Sequence, residues 1–216
     1  MSIVVIGASG MIGQRVAAEA RGRGHEVTGV TRSGTGGTAT ADASDAAAVA
    51  ALSAGHDAVV LAVPPPREDP RPSYALLAAG RGVLDGLRKA GVRRLVVVGG
   101  AGSLQVAPGV RLIDTPRYPA AYRDIGLAQC ALLDLLQTQA ADLDWTYISP
   151  PVTITPGERT GSYRLGGDQL LADANGTSAI SAEDYAVALI DELEQRRAIG
   201  QRITVASSGR VGAAQS

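Results

Sequence analysis

Three glycines near the start of the chain have the spacing of a phosphate-binding turn. Gly7, Gly10 and Gly13 follow the apolar run 3–6 and precede an alanine-rich segment. Gly7 would allow a tight turn, Gly10 would leave space where a pyrophosphate approaches the backbone, and Gly13 would let a helix pack closely against the preceding strand. Free N–H groups at the start of that helix would face the phosphates. The pattern therefore predicts a dinucleotide site, although its spacing is Gly-x-x-Gly-x-x-Gly instead of the commoner Gly-x-Gly-x-x-Gly.

The end of the second predicted strand bears on which dinucleotide binds. NAD-binding proteins carry an acidic residue there, which accepts hydrogen bonds from the ribose hydroxyls and would repel a 2′-phosphate. This chain has Arg32 and Ser33 instead. A guanidinium group offers a charged, planar fork to a phosphate, so we expect NADP(H) to be preferred, with NAD(H) as the other option. The alternative is that Arg32 is a solvated loop residue. Asp42 is placed to accept a hydrogen bond from the adenine amino group, or else it lies in a surface turn.

Apolar runs alternate with helical patterns along most of the chain. Strands are predicted near 2–6, 26–31, 37–40, 57–63, 93–99 and 144–149, and helices over 10–22, 44–54, 73–90 and 121–140. Continuous Val, Ile and Leu runs between helices are typical of a parallel sheet covered on both faces. We predict an α/β fold with a Rossmann-type doubly wound parallel sheet, forming a single domain over 1–208 with a flexible tail at 209–216. Gly24, Gly55 and Gly91 are predicted to end three of the helices.

Two loops and a glycine-rich segment interrupt this alternation. The proline run 64–72 is predicted to be non-helical, and it leaves the same edge of the sheet as the loop 99–120. Ligands of open α/β sheets bind at that edge. After Pro150 the chain turns to short, glycine-punctuated strands, and Ser181 is predicted to cap a helix over 182–196, followed by a strand over 202–206. We expect residues 151–182 to form a small C-terminal cap over the substrate end.

Composition limits the classes of partner. The chain has 216 residues, with 20 basic and 21 acidic side chains, so nucleic acid is not an expected partner. With Cys130 as the single cysteine and only two histidines, His25 and His56, we expect no disulfide, no metal site and no Ser-His-Asp triad. No apolar run is long enough for a membrane span. We expect a cytoplasmic monomer or homodimer that acts on a small molecule.

A set of segments spread over nearly the whole chain points to a known family. They are 7–13 (GASGMIG), 55–60 (GHDAVV), 95–104 (LVVVGGAGSL), 145–150 (WTYISP), 157–161 (GERTG), 166–169 (GGDQ) and 180–186 (ISAEDYA). On these, the chain resembles the atypical short-chain dehydrogenases/reductases of the NAD(P)H-binding, NmrA-like group, and most closely the bacterial NADH-flavin reductases related to biliverdin IX beta reductase. The resemblance implies a cofactor path along Gly7, Ser9, Gly10, Met11, Ile12, Gly13, Arg32, Ser33, Asp42, Ala62, Val63, Pro64, Gly99, Gly100, Ser149 and Pro150.

One departure from the wider family concerns proton transfer. Typical short-chain dehydrogenases place a tyrosine four residues before a lysine on the helix after the fifth strand, and the lysine lowers the pKa of that tyrosine so that it exchanges a proton with an alcohol. The corresponding positions here are Ile125 and Gln129. Ser103 and Tyr122 are the candidate catalytic residues, each as a hydrogen-bond donor to the substrate. The alternatives are a simple turn hydroxyl for Ser103 and loop packing for Tyr122, as for the nearby Tyr118.

These features favour a reductase that passes a hydride from NADPH to a planar acceptor such as a flavin, a quinone or a linear tetrapyrrole. Such an acceptor can take its proton from water, so no Tyr-Lys pair is needed. The lack of phenylalanine and the single tryptophan argue against extensive stacking on a planar substrate. The alternative is a non-catalytic sensor that binds NADP(H) and reports the state of the pool. A nucleotide-sugar epimerase or dehydratase is disfavoured because it would need the Tyr-Lys pair.

Overall fold

The centre of the molecule is an eight-stranded sheet with helices on both faces. The computed structural model describes residues 1–66, 69 and 71–209. The strands are β1 (Ser2–Ile6), β2 (Glu26–Thr31), β3 (Ala39–Thr40), β4 (Ala58–Leu61), β5 (Arg94–Val98), β6 (Gln105–Ala107), β7 (Val110–Arg111), β8 (Asp144–Ser149), β9 (Thr153–Thr155), β10 (Tyr163–Gly166), β11 (Ala179–Ser181) and β12 (Gln201–Ser207). The helices are α1 (Met11–Gly22), α2 (Ala46–Ser53), α3 (Pro72–Ala90), α4 (Arg123–Gln139) and α5 (Ala182–Gln195).

The strand order confirms the predicted doubly wound sheet. It runs β10-β12-β8-β5-β4-β1-β2-β3, and every pair is parallel except β10 with β12. Since β1 pairs with β2 on one side and with β4 on the other, the strand order reverses at β1. The carboxyl ends of these strands therefore border a crevice of the kind in which open α/β sheets bind ligands.

Two apolar layers enclose the sheet. Alternate residues of β1 point to opposite faces: Val4 and Ile6 belong to one core cluster, with residues of α3 and α4, while Ile3 and Val5 belong to the other, with residues of α1 and α5. Both layers exclude solvent, which is why the strands read as continuous apolar runs rather than alternating ones. Small residues allow α2 and α3 to pack closely. A Cβ atom at Gly86 of α3 would lie only 2.7 Å from Val49 Cβ of α2, so a larger residue there would push the two helices apart.

Most predicted helix ends are confirmed by their capping geometry. Ser181 Oγ accepts a hydrogen bond from the Asp184 amide (3.0 Å) at the start of α5. Gly24, Gly55 and Gly91 have φ angles of 82°, 76° and 72°, the left-handed backbone that glycine adopts without strain. These helix ends depend on local chemistry and could be predicted from adjacent residues.

Three predictions on secondary structure need correction. Pro72 is the first residue of α3, because the first helical position needs no N–H donor and proline already has the right φ. The loop 99–120 contains the hairpin of β6 and β7, and β10 joins the main sheet as an antiparallel edge strand. In the predicted proline run, residues 67, 68 and 70 lie outside the described residues. So do residues 210–216 of the predicted tail.

Within residues 1–66, 69 and 71–209, no helix combines the length and the apolar character needed to cross a membrane. The same part of the chain contains no group of three or more histidine, cysteine, aspartate or glutamate residues that could hold a metal ion.

The segment 151–182 is fastened to α1 by an ion-pair cluster. Arg159 lies in this segment, and its Nε and a terminal nitrogen donate to the two carboxylate oxygens of Glu19 (2.7 and 2.8 Å). Arg23 Nε also donates to Glu19 (2.7 Å). The hydrogen bonds from Arg159, assisted by those from Arg23, lower the pKa of Glu19 to about 2 although partial burial opposes the shift.

We expect Glu19→Gln to lower the free energy of unfolding at neutral pH by roughly 1 kcal/mol, the upper range for partly exposed ion pairs. The folded-state pKa is below the unfolded one, so the stabilisation is fully present above the unfolded value near 4.5 and is lost as pH falls towards about 2. Urea unfolding of both proteins at several pH values measures this, with Glu158→Gln on the exposed neighbour of Arg159 as the control. A Glu19→Gln deficit that stays constant from pH 7 to pH 3 would contradict the assignment.

Candidate functional site

Backbone contacts in the turn between β1 and α1 leave no room for a side chain at Gly7 or at Gly13. Gly7 has a φ of 90°, and a Cβ there would overlap the backbone carbonyl group of Ala62. A Cβ at Gly13 would overlap the carbonyl oxygen of Gly7, so this glycine lets α1 pack against the turn. The Gly10 amide donates to the Gly7 carbonyl (3.0 Å) and closes the turn. The roles expected for Gly7 and Gly13 follow from these contacts alone.

The start of α1 presents unpaired donors. The first bond along the helix runs from the Gln14 amide to the Gly10 carbonyl (3.0 Å), and the amides of Met11, Ile12 and Gly13 donate to no residue that the structure describes. Gly10 provides no capping side chain, and the first turn holds no acidic residue. A partial positive charge therefore remains at this helix end, which suits an anionic group such as a phosphate.

Arg32 and Asp42 are charged groups at the adjacent end of the sheet. Both are exposed and both line the cleft described below. Hydrogen bonds from the amide and hydroxyl of Ser44 (2.8 and 2.7 Å) lower the pKa of the Asp42 carboxyl, and the charge of Arg32 lowers it further. The Thr31 hydroxyl is engaged with its own loop, through Thr38 Oγ1 (2.8 Å) and the Gly34 amide (3.0 Å). Binding of a ribose phosphate by Arg32 stays a prediction.

These features border one cleft of about 830 Å³ at the carboxyl edge of the sheet. This volume lies within the range of small-molecule and cofactor sites. Most of the predicted cofactor residues line it: Gly7, Ser9, Gly10, Met11, Ile12, Arg32, Asp42, Ala62, Val63, Pro64, Gly99 and Gly100. The fold therefore brings residues from the ends of β1, β2, β4 and β5 to a single surface.

Four predicted cofactor residues lie outside the lining of this cleft. Gly13 is buried beneath the turn, and Ser33 is exposed on the loop after β2. Ser149 and Pro150 are buried at the end of β8, where Ser149 Oγ has no hydrogen-bond partner in the described chain. Contact between these residues and a cofactor stays a prediction.

The two candidate catalytic residues also lie away from the cleft lining. Ser103 is buried in a short 3-10 helix, Ala101–Ser103, and its hydroxyl accepts a long hydrogen bond from Arg202 (3.4 Å). Tyr122 ends another 3-10 helix and half of its surface is exposed. Their roles stay predictions. The segment 151–182 contributes no described residue to the lining either, so its function as a cap also stays a prediction.

Four residues of α4 and the loop before it close the end of the cleft beyond Gly99 and Gly100. They are Tyr118, Ile125, Gly126 and Gln129. Ile125 and Gln129 are the positions at which a tyrosine and a lysine would stand in a typical short-chain dehydrogenase, and both face the cleft. Its wall therefore presents no ionisable pair there. The sequence identified the substitution at these two positions, but it selected Tyr122 as the candidate donor, whereas Tyr118 is the tyrosine that lines the cleft.

Tyr147 of β8 is a structural residue beside the cleft that no sequence pattern singled out. It is fully buried, and its hydroxyl accepts a hydrogen bond from the Gly100 amide (3.0 Å). The hydroxyl donates to the Gln129 backbone carbonyl (2.9 Å) and lies 3.2 Å from Gln129 Oε1. A Cβ at Gly99 would overlap the Tyr147 ring. Packing on this tyrosine thus explains Gly99 without invoking a ligand.

The residues present fit a dinucleotide with a nicotinamide ring. The glycine turn leaves a space without side chains above three amides that have no partner among the described residues, and a guanidinium group lies at the next strand end. A comparison with family models agrees with this chemistry, because the model described as NAD(P)H-binding matches residues 7–196. The match covers the described lining residues of the cleft except Ile6, and it includes all strands of the main sheet except β1 and β12.

Several solved structures are similar over almost the whole chain. A candidate exported protein from Burkholderia pseudomallei is 47% identical, with a TM-score of 0.87, over 95% of this chain and 99% of that one. A candidate epimerase from Bacteroides thetaiotaomicron is 36% identical, with a TM-score of 0.89, over 97% and 98%. A candidate NADH-flavin reductase from Streptococcus pneumoniae is 34% identical, with a TM-score of 0.84, over 96% and 100%. These matches confirm the predicted resemblance to NAD(P)H-binding short-chain dehydrogenases/reductases and to NADH-flavin reductases, whereas the NmrA-like grouping and the relation to biliverdin IX beta reductase stay predictions.

Proposed function

Because this chain belongs to the NAD(P)H-binding family, we propose that it is an NADPH-dependent oxidoreductase that reduces a flavin, a quinone or a similar planar acceptor without a Tyr-Lys relay. The observation that carries the proposal is the pairing of Ile125 and Gln129 with the glycine turn on one cleft. Ile125 and Gln129 provide no proton-exchanging group, and the glycine turn provides the binding surface for the cofactor. The reductase described from Streptococcus pneumoniae supports the same reaction class.

Residues at different positions along the cleft have different roles in the proposed reaction. When bound, the cofactor supplies a hydride from its dihydronicotinamide ring. The amides at the start of α1 bind the pyrophosphate, and Arg32 binds the ribose phosphate. Gly99 and Gly100 line the ring end of the cleft. Ile125 and Gln129 do not ionise, so the proton that completes reduction comes from water.

The proposal separates this protein from alcohol dehydrogenases and from epimerases. Interconversion of an alcohol and a ketone needs a group that takes the hydroxyl proton in the transition state. Neither Ile125 nor Gln129 can do so. An acceptor that becomes a stable anion or takes a proton from water has no such requirement. For this reason we favour a reductase over the epimerase activity that the name of the Bacteroides thetaiotaomicron protein suggests for that protein.

We expect slow oxidation of NADPH in the presence of riboflavin, FMN or a naphthoquinone, and no reduction of NADP⁺ by simple secondary alcohols. The absorbance of the nicotinamide ring follows both reactions, with a protein-free mixture to subtract direct reduction of the acceptor. Rapid alcohol oxidation would contradict the mechanism. Tight NADPH binding with no turnover on any acceptor would favour the alternative function, a sensor of the NADP(H) pool.

A further inference from the structure

The far wall of the cleft carries two hydrogen-bond donors that no described residue uses. Tyr118 is half-buried, and its hydroxyl makes no hydrogen bond to any part of the chain that the structure describes. A Cβ at Gly126 would overlap this hydroxyl, which fixes it against the first turns of α4. Burial raises the pKa of the Tyr118 hydroxyl, so it remains a donor at neutral pH. Because Tyr118 lines the cleft, a ligand bound there could accept a hydrogen bond from this hydroxyl.

The second donor is the side-chain amide of Gln129, and Tyr147 sets its orientation. Gln129 is 8% exposed, and its Cβ would lie 2.9 Å from a Cβ at Gly100. Its Oε1 lies 3.2 Å from the Tyr147 hydroxyl. The hydroxyl shares its one proton between the Gln129 backbone carbonyl (2.9 Å) and this Oε1, so the amide oxygen lies on the side of Tyr147. The nitrogen Nε2 is then turned away from Tyr147, and it has no partner in the described part of the chain.

The charged residues of the described cleft lining lie at its opposite end. Among the lining residues that the structure describes, the charged ones are Arg32 and Asp42, both beside the second and third strands. The wall near Tyr118 and Gln129 combines these two neutral donors with Ile125 and Gly126. Such a wall favours an uncharged acceptor with a carbonyl oxygen, because nothing there would compensate for the desolvation of a carboxylate or a sulfonate.

We propose that Tyr118 and Gln129 bind a carbonyl oxygen of the acceptor and thereby select neutral ring diones, such as quinones and the isoalloxazine ring. This inference rests on the proposed reductase function and adds the recognition of the acceptor. The acceptor gains a hydride with its electron pair from the dihydronicotinamide and one proton from water, so it is reduced by two electrons as the cofactor is oxidised. Negative charge develops on the carbonyl oxygen during this step, and both donors stabilise it.

Binding without turnover tests the proposal directly. Calorimetry measures the Kd of menadione for the protein saturated with NADP⁺, which cannot reduce it. Tyr118→Phe and Gln129→Leu should each weaken menadione binding by roughly fivefold to tenfold, as expected for one lost hydrogen bond. The Kd of NADPH should not change in either variant. Tyr74→Phe removes a hydroxyl from a residue of α3 that is 70% exposed, and it serves as the matched control.

A second probe separates recognition of the carbonyl from general damage to the cleft. The unmodified protein should bind menadione more tightly than 1,4-naphthoquinone-2-sulfonate, which carries a negative charge. Gln129→Glu keeps the oxygen next to Tyr147 but removes both N–H donors, and it should weaken menadione binding at least as much as Gln129→Leu. Equal affinity of the unmodified protein and all of these variants for menadione would overturn the inference.

The outcomes distinguish this inference from the proposed function. If the unmodified protein reduces menadione and the variants do so with an unchanged KM, the reductase function stands and the role of Tyr118 and Gln129 is wrong. If the unmodified protein binds NADPH but neither binds nor reduces any dione, the proposed function itself is wrong. If the KM for menadione rises in both variants while the Kd of NADPH is unchanged, the result supports both the reductase function and the role of Tyr118 and Gln129.

Discussion

Gly10→Val should abolish binding of NADPH while the protein remains folded. Gly10 has φ −71° and ψ 162°, an extended conformation that valine adopts readily. A Cβ at this position would meet the carbonyl oxygens of Gly7 at 3.3 Å and Ala62 at 3.9 Å, so the turn needs only a small adjustment. The two methyl groups would occupy the space in front of the free amides, where the pyrophosphate must approach. Calorimetry measures the Kd of NADPH, and thermal unfolding checks the fold.

Two glycines of the same helix provide the comparison for this variant. At Gly22 a Cβ meets nothing within 4 Å, so Gly22→Ala should leave both cofactor binding and folding intact. At Gly13 a Cβ would overlap the backbone of Gly7, so Gly13→Val should disrupt the fold itself. Near-normal NADPH affinity in a folded Gly10→Val protein would show that the turn has only a structural role.

Arg32→Asp should weaken binding of NADPH by about 1.5–3 kcal/mol, the range for a charge-assisted hydrogen bond, and should narrow or reverse the preference over NADH. The physical reason is that the 2′-phosphate loses its guanidinium partner and meets a carboxylate instead. The same carboxylate can accept hydrogen bonds from the ribose hydroxyls of NADH. The Kd values of both cofactors, measured for both proteins at one ionic strength, give the change in preference.

The long-range effect of charge must be separated from direct contact in this experiment. Arg81→Asp makes the same change of charge on an exposed residue of α3 outside the cleft, and it should alter the two Kd values little and equally. Arg32→Gln removes the charge without adding repulsion, so its effect should lie between those of the unmodified protein and Arg32→Asp. Equal affinity of the unmodified protein for NADPH and NADH would contradict the role assigned to Arg32.

The sequence by itself determined the features that depend on neighbouring residues. The glycine turn, the cap at Ser181 and the helix ends at Gly24, Gly55 and Gly91 each follow from local backbone geometry. The continuous apolar runs determined a parallel sheet covered on both faces, because only such a sheet buries every side chain of a strand. The carboxyl edge of that sheet then identified where a dinucleotide would lie.

The tertiary structure alone decided which side chains meet in the cleft. Tyr118 and Tyr122 lie four residues apart in the segment before α4. Tyr118 lines the cleft, whereas Tyr122 is half exposed to solvent. The positions of the two tyrosines depend on how α4 packs against α3 and on the path of the loop after β5 over the sheet edge. Both are determined by contacts between residues that are far apart in the sequence. The Tyr147–Gln129 contact likewise joins β8 to α4 across the core. Such contacts have no signature in adjacent residues, because burial and hydrogen bonding are satisfied between segments that meet only in the folded chain.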